Sequence, residues 1–450
     1  MTDPILREWW ENLTDAWKQM IRGNVMLFEY QEKFRIDGQY FHYTIEDIKN
    51  HHYTLDEQLS LDQVLSKVND LTCFYYYDSS NARDFAPLPY MQNLEMLYLY
   101  DNYTELYELK NCRKLRGIHF QFSRPLNNKS RCFESIDLLK NLRELKVAYY
   151  DEQVITLDPF DKENTYYMPI SLDFLKSLNN LKKLYLIGLE VKNCAFLEHI
   201  DALQELSLLF GVYNISSVKR LTTLEKLQIN EVKGCEGHFI RELCNLNELH
   251  LRKGEYYLSD FSQLRKLKHL ELECVRDPHL LSSEGLSDLK HLSITEGRYP
   301  ASELSKLNKL EELYIDGIEN KSLAFINHLT QLSFLSINSG NYTISILDQL
   351  NLLKTFEING GEFESLNFLN DLSQLEALSV TNGEYLFPQK LKMPSLNRLS
   401  IWDSDVESLG FLSDLPALES VLVDEWTKEM LPHNLSEDVC IEDINNPMFY

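Results

Sequence analysis

His269 and His291 stand 22 residues apart, with His250 and Glu271 close by in the chain. Imidazoles and carboxylates grouped in this way are the donor types of zinc and other transition metals. If that spacing is the period of a repeat, the two histidines share one column of adjacent strands and His250 lies diagonal to them. A metal-dependent hydrolase would use such a cluster. The plainer reading is a mixed polar surface that contacts a partner, because metal ligands on rigid strands also need supporting hydrogen bonds. Little else favours catalysis. The chain has no G-x-x-x-x-G-K-[ST], H-E-x-x-H or G-x-S-x-G. Ser216 to Lys219 and Ser287 to Lys290 match S-x-x-K only formally. An open sheet excludes water poorly and gives little cause for shifted pKa values. No catalytic residue, metal ligand or cofactor is assigned, and an enzyme is not expected.

The elements that must carry these side chains follow from a repeat. Leucine triplets of the form L-x-x-L-x-L begin at residues 181, 203, 224, 246, 267, 289, 310, 332, 353, 375, 396 and 418, with gaps alternating between 22 and 21. In the unit from 310 to 331, Leu313 and Ile315 point inward while Glu312, Tyr314 and Asp316 face out, as period two requires of a strand. Leu310, Ile318, Leu323, Phe325, Ile326 and Leu329 complete the apolar set. Units this small must stack to bury it, and the stack makes a parallel sheet with many equivalent outward positions.

This pattern resembles the leucine-rich repeat family, in its short 21 to 22 residue, internalin-like class of bacterial proteins. The resemblance implies an α/β solenoid, a horseshoe or arc with the parallel sheet on its concave face and short 3-10 or irregular segments on the convex side. The stretch W-W-x-x-L-x-x-x-W-K, from Trp9 to Lys18, is similar to the opening of some bacterial members. The chain departs from the family at the ninth repeat position, where the usual asparagine survives only as Asn102. Instead Gly211, Gly254, Gly297, Gly340 and Gly383 are each followed two residues later by Tyr213, Tyr256, Tyr299, Tyr342 and Tyr385, every 43 residues. The glycines are expected to adopt φ > 0 or to admit a neighbouring backbone, and the tyrosines to pack along an edge or to form a ligand ladder. Phe196, Phe239, Phe325, Phe368 and Phe411 keep the same beat, broken at Ser282, and predict a convex phenylalanine row.

Residues 1–65 read as a helical N-terminal cap, 66–425 as the solenoid of about 15 to 16 repeats with insertions near 122–132 and 151–170, and 426–450 as an irregular C-terminal cap. Leu6, Trp9, Leu13, Trp17 and Met20 predict one amphipathic helix after Asp3-Pro4, with Trp9, Trp10 and Trp17 in the core or on an exposed docking face. Thr54 to Glu57 predicts a capping box. Both insertions leave the coil after a strand and are expected to form one ridge. Beside it, Tyr98, Tyr100, His119, Phe122, Tyr149 and Tyr185 are read as outward, and Phe160, Tyr166 and Tyr167 come from the longer loop. These nine form the first-choice partner site, unless the loop folds down and covers the rings. The second choice is ionic: Glu248, His250, Arg252, His269, Glu271, Glu273, His291, Glu296 and Glu312.

The net charge of -25 over 450 residues argues against nucleic acid and for a basic protein partner, or simply keeps a leucine-rich surface soluble. The start lacks a secretory pattern and no membrane span is seen, so a cytoplasmic protein, monomeric when unbound, is expected. Eight cysteines without C-x-x-C read as buried thiols of a reducing compartment. The function expected is protein binding without catalysis, as an inhibitor or immunity protein or as a multi-client scaffold or adaptor.

Overall fold

The computed structural model describes residues 4–33, 59–77, 85–101, 105–126, 131–150, 167–233, 237–253, 261–275, 284–344, 346–363, 365–388, 390–406 and 408–443. The chain forms two compact units, Met1–Thr223 with Val232–Gly234, and Leu224–Glu231 with Cys235–Tyr450.

The first unit opens with helices α1 (Pro4–Glu11), α2 (Asp15–Lys33) and α3 (Leu61–Val68). The single helix expected from Leu6 to Met20 is in fact two. Thr14 Oγ1 accepts a hydrogen bond from the Trp17 amide at 3.3 Å, so a new helix is capped there despite the continuous apolar spacing. The three tryptophans are core residues: Trp17 lies 5.9 Å from Phe74 and 5.7 Å from Tyr76, and Trp9 stacks on Tyr90 at 5.6 Å. The Thr54 box lies outside the described residues. A capping box is present at Ser60, whose amide donates to Gln63 Oε1 at 2.7 Å and whose hydroxyl accepts from the Gln63 amide.

Among the described residues, eight strands follow in this unit: β1 (Cys73–Tyr77), β2 (Met96–Tyr100), β3 (Gly117–Phe122), β4 (Glu144–Tyr149), β5 (Met168–Pro169), β6 (Lys183–Ile187), β7 (Leu189–Val191) and β8 (Glu205–Tyr213). All pair in parallel, in the order β1, β2, β3, β4, β6, β8, with β5 and β7 extending the last turns. Buried Asn24 of α2 closes the outer edge of β1: its side chain donates to Tyr75 O at 3.0 Å and accepts from Tyr75 N at 2.7 Å. An amide side chain thus makes the donor and acceptor contacts that a neighbouring strand would make.

The second unit carries β9 (Lys226–Lys233), β10 (Glu248–Arg252), β11 (His269–Glu273), β12 (His291–Gly297), β13 (Glu312–Ile318), β14 (Phe334–Tyr342), β15 (Thr355–Phe363), β16 (Ala377–Tyr385), β17 (Arg398–Val406), β18 (Ser420–Val423) and β19 (Cys440–Asp443), with α4 (Ala301–Leu304) and α5 (Glu425–Glu429) between strands. Each strand pairs in parallel with the next. The C-terminal stretch is more regular than its sequence suggests. Asp424 caps α5 by accepting from the Thr427 amide at 2.7 Å, and β19 pairs in register with β18.

The leucine positions fill the interior. Leu310, Leu313 and Ile315 have no solvent exposure, and fully burying such a side chain is worth about 1.5 to 3 kcal/mol. Short 3-10 turns form the opposite side, and the phenylalanine row lies buried in them at Phe196, Phe239, Phe325, Phe368 and Phe411. Ser282 is outside the described residues. The glycine expectation holds at Gly211, Gly297 and Gly340 and not at Gly383. In the regular repeats the left-handed residue is the eighth, recurring at Gly188, Phe210, Glu231, Lys253, Cys274, Glu296, Gly317, Ser339, Gly360, Asn382 and Asp403. Of the ninth-position glycines, Gly297 and Gly340 also have positive φ, whereas Gly211 and Gly383 do not. A Cβ at Gly211 would stand 2.5 Å from the backbone oxygen of Leu189 and one at Gly297 3.2 Å from that of Val275, whereas a Cβ at Gly340 would stand 2.6 Å from Tyr342 Cζ and one at Gly383 2.6 Å from Tyr385 Oη. Tyr213, Tyr299, Tyr342 and Tyr385 are buried with their hydroxyls on backbone groups, so they pack and are not a ligand ladder. Gly254 and Tyr256 lie outside the described residues.

Candidate binding faces

In the first unit, strand register builds one solvent-side column: Tyr75, Tyr98, His119, Lys146, Tyr185 and Ser207. Each stands four residues after the first leucine of its repeat or that leucine's equivalent. The rings touch. Tyr75 and Tyr98 stack at 4.5 Å and 10°, and Tyr98 meets His119 edge-on at 4.9 Å. His119 Nε2 is 2.7 Å from Glu144 Oε1, and the Tyr185 hydroxyl donates to Glu205 Oε2 at 2.9 Å. Lys183 Nζ pairs with the same Glu205 at 2.8 Å. The hydrogen bond to His119 holds the Glu144 carboxyl below its ordinary range, against its burial. Burial and the neighbouring Glu205 push the Tyr185 phenol up.

The predicted aromatic site divides. Tyr98, Tyr100, His119 and Tyr185 do face solvent and are half-buried. Phe122 and Tyr149 do not: they are 0% and 5% exposed. Both have inward parity, following Ile118 and Phe120 on β3 and Leu145 and Val147 on β4, and Phe122 packs at 6.0 Å on Phe120. Phe160 and Tyr166, with most of the longer loop, lie outside the described residues, as do residues 127–130 of the shorter insertion. Tyr167 is half-buried, and the chain rejoins the sheet just after it, where the Met168 amide donates to Gly188 O at 3.0 Å. Tyr75 and Lys146 were missed. Leu71, Phe74 and Tyr76 hold the triplet positions of an earlier repeat, and accepting aromatic rings in place of leucines would have put Tyr75 in the column.

The ionic face of the second unit is a ladder of matched charges. Lys226 Nζ reaches Glu248 Oε1 at 2.6 Å, and His250 lies between Glu248 and Glu271, bonded to both. Arg252 also bonds Glu271 and approaches Glu273 at 3.7 Å, while Lys253 stands 3.5 Å from Glu231 and 3.6 Å from Glu273. Burial disfavours the charged form of His250, but its bonds to Glu271 and Glu248 outweigh that and raise its pKa above 6.5. The bond to His250 in turn holds Glu271 below the ordinary carboxylate value. Glu296 is not on the strand columns. It occupies the left-handed position near the end of β12, where its carboxylate accepts from Cys274 Sγ at 2.8 Å.

His269 and His291 share a column as expected, but their rings stack face to face at 4.2 Å and 12°. A metal binds in the plane of an imidazole, so stacked rings do not converge on one ion. His291 Nδ1 is 2.8 Å from Glu312 Oε2, and burial together with the facing His291 lowers the His269 pKa. Among the described residues, no group of three or more His, Cys, Asp or Glu is placed to hold a metal ion. The geometry therefore gives no support to the hydrolase reading. The buried-thiol expectation is corrected in part: Cys112, Cys132 and Cys194 are buried, with pKa pushed up to about 12 by burial, but Cys244 and Cys440 are exposed.

No protein-family model matches the chain, and no curated protein matches it. Among solved structures, a leucine-rich repeat protein of Leptospira interrogans is similar over 85% of this chain and 98% of its own, with TM-score 0.61 and 20% identity. TLR13, in its complex with ssRNA13, is similar over 83% of this chain and 65% of its own, with TM-score 0.52 and 17% identity. An internalin of Listeria monocytogenes covers 83% of this chain and 93% of its own at 18% identity and TM-score 0.43. The fold is a leucine-rich repeat solenoid. In this solenoid the two faces described are the outward positions of the repeat, and no described helix is long and apolar enough to cross a membrane.

Proposed function

We propose that this leucine-rich repeat solenoid is a non-catalytic, cytoplasmic binding protein that grips a folded, basic protein partner on the solvent side of its strands. The observation that carries the reading is the contiguous aromatic column of Tyr75, Tyr98 and His119, continued at Tyr185. Rings held by rigid strands lose little freedom on binding, and a few such anchors supply most of the affinity of an interface. The net charge of -25 favours a basic partner steered by opposite charge. It disfavours a single-stranded RNA such as TLR13 holds in its complex, because phosphate binding relies on lysine and arginine. Within this reading the chain acts as an inhibitor or immunity protein, monomeric until it meets its target and needing no cofactor. A scaffold with several modest clients is the alternative.

Affinity capture from the native cell, with wild type beside a Tyr98→Ala, Tyr185→Ala variant, tests it. One stoichiometric basic protein lost from the variant, with an association rate that falls as salt rises, is the expected result. Many weak proteins would favour the adaptor. The same proteins from both baits would remove the aromatic column from the site, and salt-independent association would count against a basic partner.

A further inference from the structure

The run of matched charges on successive strands of the second unit ends at β13; beyond it, Lys354 pairs with Glu376 and Lys428 with Asp443, away from Asp316 and Glu357. Up to that strand the solvent-side carboxylates have cations: Glu248 has Lys226 and His250, Glu271 has His250 and Arg252, and Glu273 has Arg252 and Lys253. The Glu312 carboxylate at the start of β13 lies 2.8 Å from His291 Nδ1. Asp316, two positions beyond Tyr314, and Glu357 on β15 are also half-buried and solvent-facing, yet neither forms an ion pair among the described residues. A half-buried carboxylate without a counter-charge keeps only part of its hydration, and that loss is recovered when a cation arrives.

Something besides charge gathers at the same place. Register aligns Tyr314, Ser336 and Glu357 in one column. At strand spacing the tyrosine and the carboxylate stand roughly 10 Å apart across the short serine side chain. Tyr314 is 37% exposed, a large ring facing water from mid-strand, and Phe334 braces it at 4.8 Å and 33°. Burial, then Glu312 and Glu357, raise the Tyr314 phenol pKa, so both carboxylates lie within electrostatic reach of it. A ring face and, across the buried Ser336, a carboxylate with no ion pair among the described residues suit a flat cation. A guanidinium can stack on the ring and direct paired N–H groups at the carboxylate, whereas an ammonium satisfies the charge alone.

We propose that Tyr314, Glu357 and Asp316 form a subsite for an arginine side chain presented by the protein partner. The proposal rests on the reading of the chain as a binder of a basic protein and specifies where one of that protein's cations docks. Its neighbours explain the choice of place. On the strands before it the chain supplies its own cations, so an incoming arginine would have to displace one; Glu357 and Asp316 form no ion pair among the described residues.

The test uses the full chain and a dye-labelled acetyl-Gly-Arg-Gly-Arg-Gly amide, read by fluorescence anisotropy at about 150 mM salt, where long-range attraction is largely screened. The same peptide with citrulline, flat but neutral, is the control. Saturable binding of the arginine peptide alone is expected. Tyr314→Ala and Glu357→Gln should each weaken it roughly three- to ten-fold. Tyr314→Phe, which keeps the ring, and Glu419→Gln, which removes an exposed carboxylate elsewhere, should leave it unchanged. Equal binding of the citrulline peptide, or a loss at Glu419→Gln as large as at Glu357→Gln, would overturn the subsite. Because no native partner is present, that failure leaves the broader reading to the capture experiment, and an empty capture leaves the peptide result standing.

Discussion

Tyr98 lies face to face with Tyr75 at 4.5 Å although no leucine-rich triplet announces the strand that carries Tyr75. The pair contacts His119 on the next strand, itself held by Glu144, so the aromatic column is organised before any partner arrives. Preorganisation of this kind reduces the ordering cost of binding.

Tyr98→Ala should therefore have two separable effects. Losing the stack should lower stability by about 0.5 to 1.5 kcal/mol. If Tyr98 is an anchor, affinity should fall by about 2 kcal/mol or more. Denaturant unfolding and the dissociation constant for the captured partner measure the two. A variant that loses stability but binds normally would show that the column packs only against itself.

Phe122→Ala should behave in the opposite way. The side chain is wholly buried against Phe120 and Phe133, and its removal should cost about 3 to 5 kcal/mol. The melting temperature should fall clearly, while protein that remains folded should bind its partner with unchanged affinity. A binding defect in folded protein would return Phe122 to the interface.

These two aromatics show where the sequence was legible. Strand parity and the 21 to 22 residue beat follow from stacking, and they located Leu313, Ile315 and the phenylalanine row correctly. Tyr98 and Tyr185 were found because they stand between inward leucines. Phe122 and Tyr149 cluster in sequence with the outward rings, but the same parity turns both inward. Tyr75 was hidden because Phe74 and Tyr76 replace the expected leucines. Near Thr14, one side-chain cap overrode apolar spacing that continued through it. Ring stacking between His269 and His291, and the lack of an ion pair at Glu357 among the described residues, depend on side-chain geometry that no periodicity encodes.

Gly340→Ala tests the repeat's second signature. The new methyl would meet the Tyr342 ring at 2.6 Å, on a backbone with φ of +114°. A non-glycine residue held there costs on the order of 1 to 3 kcal/mol before any clash with the ring. Gly410→Ala is the comparison, since its nearest contact is Ser408 Oγ at 3.4 Å and its φ is not left-handed. Urea midpoints should fall for the first and hold or rise for the second. Equal midpoints would mean that the ring is not fixed over the glycine.

His250 gives the charge ladder a pH dependence whose sign can be worked out. Despite its burial, its bonds to Glu271 and Glu248 raise its folded pKa above 6.5. Its stabilising contribution is therefore complete below the unfolded value and is lost as pH rises through the folded one. Glu271 is lowered by its bond to His250, and Glu248 by Lys226 and His250 against its own burial. Their contributions exist above the ordinary carboxylate value of 4.5 and are lost as pH falls. The two requirements overlap between those limits, so the ladder is strongest near about pH 5.5 to 6. His250→Gln should lower the urea midpoint most in that interval and progressively less as pH rises through the raised folded pKa. A penalty that grows toward high pH would mean that the neutral ring, through packing, and not the imidazolium between two carboxylates, holds this part of the sheet.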